Sequence, residues 1–93
     1  MSKQRKQSLI DATYLDRLGT ESARTSASSI RRQAQERGVA LPLDDSCMGE
    51  LLDHALEGLQ SKNRIDWPHT PDLRRHVFIE AWIAEMTRQG VRA

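Results

Sequence analysis

The segment from Thr70 to Gly90 places the hardest packing demand on this chain. Thr70, Pro71 and Asp72 read as the start of a helix, with Thr70 as N-cap, proline at the first helical position and an acid in the first turn. Gly90 stands where a helix of that length ends. Between them, Leu73, Val77, Phe78, Ile79, Ala81, Trp82, Ile83, Ala84 and Met86 cover more than half of the helical circumference. A helix apolar on that many sides is either the centre of a bundle or lends one face to a partner chain.

The rest of the chain must cover it with few resources. The chain has 93 residues, enough for one domain. A domain of this size buries only about 60% of its unfolded surface, which argues against a deep substrate cavity. The aromatic residues are Tyr14, Trp67, Phe78 and Trp82. Three of those four lie in the last third, where the core is expected to organise.

Periodicity upstream is helical, with no alternating strand pattern and no internal repeat, so the fold class is all-α, a small bundle of about four helices. Residues 1–7 read as a flexible basic arm and residues 8–93 as a single helical domain. A first helix is expected from about Ser8 to Leu18, opened by a capping pair of Ser8 and Asp11, with Ile10, Tyr14, Leu15 and Leu18 on its apolar side. A second runs from about Glu21 to Arg37 and ends at Gly38; its stripe is Ala23, Ala27, Ile30 and Ala34. The two stripes differ in phase, which predicts a break near Gly19 and Thr20.

A third helix is expected from about Ser46 to Lys62, with Met48, Leu51, Leu52, Ala55, Leu56 and Leu59 at core spacing, acids near its start and Asn63 as its stop. The last two helices are expected to form most of the core.

Net charge is only +1, yet its distribution is uneven. Residues 1–43 hold eight Lys/Arg against four Asp/Glu, residues 44–72 two against seven, and residues 73–93 four against two. A basic half therefore adjoins an acidic belt.

The basic half centres on the stretch RTSASSIRRQAQERG, whose single large apolar residue is Ile30. Small residues let such a helix lie close to its own core while Arg and Gln reach outward to phosphates and base edges. Arg17, Arg24 and Arg31 recur every seven residues, with Ser28, Arg32 and Gln35 beside them. These six are the candidate nucleic-acid contacts, joined by Lys3, Arg5 and Lys6 from the arm as phosphate contacts. The segment Tyr14 to Val39 resembles a helix-turn-helix in which SerSerIleArgArg opens the recognition helix. The turn position that the motif gives to glycine falls on Arg24, and its next buried position falls on Gln33, so no family is assigned.

Other constellations fail on spacing. Cys47 and His54 are seven residues apart on one helix, about 10 Å along its axis, too far for a nucleophile and its base; Cys47 reads instead as a small buried group. His69 and His76, with Asp66 and Asp72, match no metal-binding spacing, and the acidic run Asp44 to Glu57 lacks the pattern of a calcium loop. No enzyme, cofactor or metal is expected.

Trp67 before Pro68, and Trp82 on the apolar last helix, are the candidate partner anchors. No run approaches a membrane span, and the basic start lacks the apolar segment of a secretory signal. With one cysteine, the chain reads as cytoplasmic. The expectation is a small DNA-binding regulatory protein, most simply a homodimer that buries either the Ala23 stripe or the broad face of the last helix. The competing expectation is a protein-binding adaptor or inhibitor, of a phage or plasmid type, that docks through its acidic helix or the Trp67 loop.

Overall fold

A computed structural model describes residues 12–93. The basic arm with Lys3, Arg5 and Lys6, and the capping pair Ser8 and Asp11, lie outside the described residues. Among those described there are three α-helices: α1 (Ala12–Arg37), α2 (Asp45–Ser61) and α3 (Asp72–Arg88), with a 3-10 turn at Trp67–His69 between the last two. The fold is all-α, with three α-helices among the described residues where about four were expected.

The difference lies at Gly19. The expected break does not occur: α1 is continuous for 26 residues, about 39 Å, and the turn of a helix-turn-helix is absent. Gly19 is buried inside this helix because α3 crosses there. A Cβ on Gly19 would lie 2.5 Å from the Phe78 carbonyl oxygen and 3.0 Å from the Ala81 Cβ. Gly19, Ala23 and Ala27 continue one stripe at a spacing of four, all buried, and Leu15 opens it. The apparent phase slip arose from treating glycine as punctuation when it is the smallest member of the packing face.

Opposite this row of small side chains stand Phe78, Trp82 and Met86 of α3, also four apart and each 0% exposed. Large residues over small ones let the two helices approach closely and interdigitate. The α1–α3 pair is the dominant helix contact. Core formation therefore falls to the first and last helices rather than to the last two. Within the chain Ala23 and Ala27 are buried beneath α3, and Phe78, Trp82 and Met86 against α1, whereas Ile30 at the far end of the stripe stays half-buried.

Each helix ends by local chemistry. Gly38 has φ 70° after α1, Asn63 φ 57° after α2 and Gly90 φ 78° after α3. In all three the next residue's N–H reaches back to the carbonyl five residues earlier: Val39 to Ala34 at 2.9 Å, Arg64 to Leu59 at 2.8 Å, Val91 to Met86 at 3.0 Å. α2 starts with Asp44, whose Oδ1 accepts from the Cys47 N–H at 2.9 Å. At the start of α3 the expected cap is replaced: Pro71 sits in the N-cap position without a side-chain bond, and the Thr70 hydroxyl donates to the Asp66 carbonyl at 2.7 Å.

α2 joins the pair through the Trp67 turn. The Trp67 indole N–H donates to the Leu56 carbonyl at 2.8 Å, and its ring meets Phe78 edge-on with centroids 5.2 Å apart. Met48 and Leu56 are buried, whereas Leu51, Leu52, Ala55 and Leu59, expected in the core, are only half-buried. Leu43, ahead of α2, is pinned to the C-terminal tail by its N–H to the Val91 carbonyl at 2.8 Å. No described helix is long and apolar enough to cross a membrane.

Candidate nucleic-acid interface

Because α1 is one continuous helix, its outer residues keep a fixed register. At 100° per residue, Arg17, Arg24, Ser28, Arg31 and Gln35 fall within about 60° of one another, on the side away from Leu15, Gly19 and Ala23, with Arg32 on the flank. All six are exposed. From Arg17 to Gln35 the strip runs about 27 Å.

The strip divides into anchored and free members. Arg24 Nε lies 3.6 Å from Glu85 Oε2 of α3. Arg31 donates to the Gln89 carbonyl at 3.2 Å and to the Gln89 side-chain oxygen. Arg17, Arg32 and Gln35 make no hydrogen bond or ion pair with their side chains among the described residues. Arg24 and Arg31 thus find their partners on α3 and just past its end rather than among the acids of α1.

Glu85 is the node of this arrangement, a carboxylate only 6% exposed. Arg88, one turn on, holds it with two hydrogen bonds, Nε to Oε1 at 2.9 Å and a terminal nitrogen to Oε2 at 2.5 Å. Gln89 adds an N–H to Oε2 at 2.7 Å. These bonds, chiefly from Arg88 and then Gln89, with the charges of Arg88 and Arg24 behind them, hold the Glu85 pKa down to about 2 against the opposing effect of burial.

One carboxylate thus orients Arg24 and Arg88 directly and Arg31 through Gln89, so that three guanidinium groups outnumber the anion beneath them. The Arg24 and Arg88 side chains remain 60% and 63% exposed. Oriented arginine forks with free donors are suited to phosphate oxygens. Glu85, Arg88 and Gln89 were not among the sequence candidates. The available signal was a Glu with Arg at i+3 and Gln at i+4, a pattern that only proximity to α1 turns into part of the strip.

The other candidates are dispersed. Cys47 is exposed rather than buried, and its hydrogen bond to Asp44 raises its pKa, away from a reactive thiolate. His69 pairs with Asp66 at 2.7 Å and His76 with Glu80 at 3.1 Å. No group of three or more His, Cys, Asp or Glu side chains that could hold a metal occurs among the described residues. Trp67 and Trp82, the candidate anchors, are 9% and 0% exposed and sit in the core. Compared with protein-family models, with characterised proteins and with solved structures, the chain matches none.

Proposed function

We propose that this protein binds duplex nucleic acid, DNA in the first instance, through the outer strip of α1, and acts there as a regulator without catalysis. The observation that carries the reading is the strip itself: Arg17, Arg24, Ser28, Arg31, Arg32 and Gln35 exposed along one continuous helix, with Glu85 orienting Arg24 beside Arg88. The major groove is about 12 Å wide and admits an α-helix. Arg and Gln pair bidentately with guanine and adenine, and the flanking arginines supply phosphate contacts.

The competing docking role loses Trp67 as its anchor, because that ring is buried against Phe78. It keeps only the acidic exposed side of α2.

Fluorescence anisotropy with a labelled duplex, at about 50 and about 200 mM salt, tests the reading. Arg17, Arg24, Arg31, Arg32 and Arg88 allow at most five phosphate contacts, so the log-log salt slope is no steeper than about −4.5 and the loss over that range at most about five-hundredfold. Arg17→Ala and Arg32→Ala remove unanchored side chains, so each lowers the slope by about 0.9 while leaving stability unchanged. No binding at the lower salt, or binding indifferent to both substitutions, overturns the reading and directs the search to a protein partner on α2.

A further inference from the structure

Whereas α1 packs closely along α3, α2 stands off from α1. The space between them is an open groove in two stretches that meet at His54. Ser22, Thr25 and Ser26 line one stretch and Gln33 and Cys47 the other, around an apolar set: Ile30 and Ala34 from α1, Leu43 from the loop, and Leu51, Ala55 and Leu59 from α2. All of this apolar set but Ala34 are only half-buried, and Val39, 49% exposed, stands at one end. This is where the expected core positions of α2 were left without a covering layer.

The charged rim has a regular sign pattern. At one end Arg37 of α1 stands across from Glu50 of α2. At the other, Glu21 of α1 stands across from Lys62 and Arg64, just past the end of α2. None of these five forms an ion pair with another described residue.

We propose that this groove is the interface between two copies of the chain, placed face to face about a two-fold axis in the plane of the groove. A two-fold interface brings one patch against itself, so its charges must be self-complementary. These are, in either orientation. With the axis along the groove, Arg37 meets the partner's Glu50 and Glu21 meets the partner's Lys62. With the axis across it, Arg37 meets the partner's Glu21 and Glu50 meets the partner's Lys62. A second copy also brings Ile30, Leu51 and Leu59 against an equal apolar surface and removes both from water. None of the groove's charged rim residues, Arg37, Glu50, Glu21, Lys62 and Arg64, belongs to the outer strip of α1, so the inference does not rest on nucleic-acid binding.

Sedimentation equilibrium from about 1 to about 500 μM protein tests it. The expected result is a reversible dimer. Arg37→Glu and Glu50→Lys, both at exposed positions, each weaken it by about tenfold or more, because symmetry makes every substitution count twice. Circular dichroism verifies that both remain folded. Mixing Arg37→Glu with Glu50→Lys restores a heterodimer if the axis runs along the groove, and mixing Arg37→Glu with Glu21→Lys restores it if the axis runs across. Val39→Asp probes the apolar end and also weakens the dimer. A monomer across the whole range, a dimer indifferent to all three single substitutions, or failure of both mixtures to restore association overturns the proposal.

Discussion

Adding one methyl group at Gly19 tests the central contact of the fold. In a solvent-exposed helix Gly→Ala is worth about 1 kcal/mol of added stability, because alanine loses less backbone freedom. At Gly19 the new Cβ would lie 2.5 Å from the Phe78 carbonyl oxygen, 3.0 Å from the Ala81 Cβ and 3.3 Å from the Trp82 nitrogen. Two of these three are backbone atoms, which cannot rotate out of the way. A carbon and a carbonyl oxygen approach to about 3.3 Å, so the helices must separate locally by about 0.8 Å. A gap of that size forfeits a quarter to a half of each dispersion contact it opens, and some thirty atom pairs at about 0.15 kcal/mol each then lose about 1.5 kcal/mol. Overpacking strain brings the cost to about 3 kcal/mol, within its usual range. Set against the propensity gain, the net loss for Gly19→Ala is about 2 kcal/mol, or about 8–16 °C in Tm for a domain of this size. The internal reference is Gly49→Ala, where a Cβ meets nothing within 4 Å and the full gain of up to about 1 kcal/mol is expected. Thermal and urea unfolding followed by far-UV circular dichroism measures both. If Gly19→Ala raises stability as Gly49→Ala does, α1 and α3 do not cross at Gly19 and the packing argument fails.

Two further expectations concern polar groups in the core. Glu85 has its pKa lowered to about 2 in the folded chain, so its contribution to stability is full above about pH 4.5 and is lost as pH falls toward 2. Glu85→Gln should therefore flatten the unfolding midpoint between those pH values and lower stability at neutral pH by about 1–2 kcal/mol, since the guanidinium partners stay solvated; an unchanged acid profile sinks this account. The Trp82 indole N–H is buried and meets no hydrogen-bond partner among the described residues, whereas that of Trp67 donates to the Leu56 carbonyl. Trp82→Phe gives back an unmet desolvation cost of about 1–3 kcal/mol that offsets its cavity, while Trp67→Phe loses a hydrogen bond as well as volume. Urea denaturation should rank Trp67→Phe as the more damaging, although Trp82 is the more buried; the reverse order refutes the pairing.

The all-α class, the position of α2 within one residue at each end, and the stops at Gly38, Asn63 and Gly90 were legible in the sequence. These are set by groups close together in the chain: periodicity of apolar side chains, an aspartate three residues from the amide it caps, and residues that accept positive φ. The shared face of Arg24, Ser28, Arg31 and Gln35 was legible for the same reason, whereas Arg17 joins it only because the expected break at Gly19 is absent.

What the tertiary structure decided is what depends on the neighbour across the interface. Gly19 has the same backbone freedom whether it ends a helix or admits another one, and only the Phe78 carbonyl at that spot makes it the second. Met48 and Leu51 both sit at core spacing on α2, yet one is buried and the other half-exposed because a helix has only as much covered face as its partners provide. Glu85 shows its bonds to Arg88 and Gln89 in its local spacing, but nothing local places Arg24 across from it. Sequence alone determines the torsions and faces of each helix, whose causes lie within a few residues; the choice of which face meets which is a competition among all faces for limited apolar surface, and only the assembled chain resolves it.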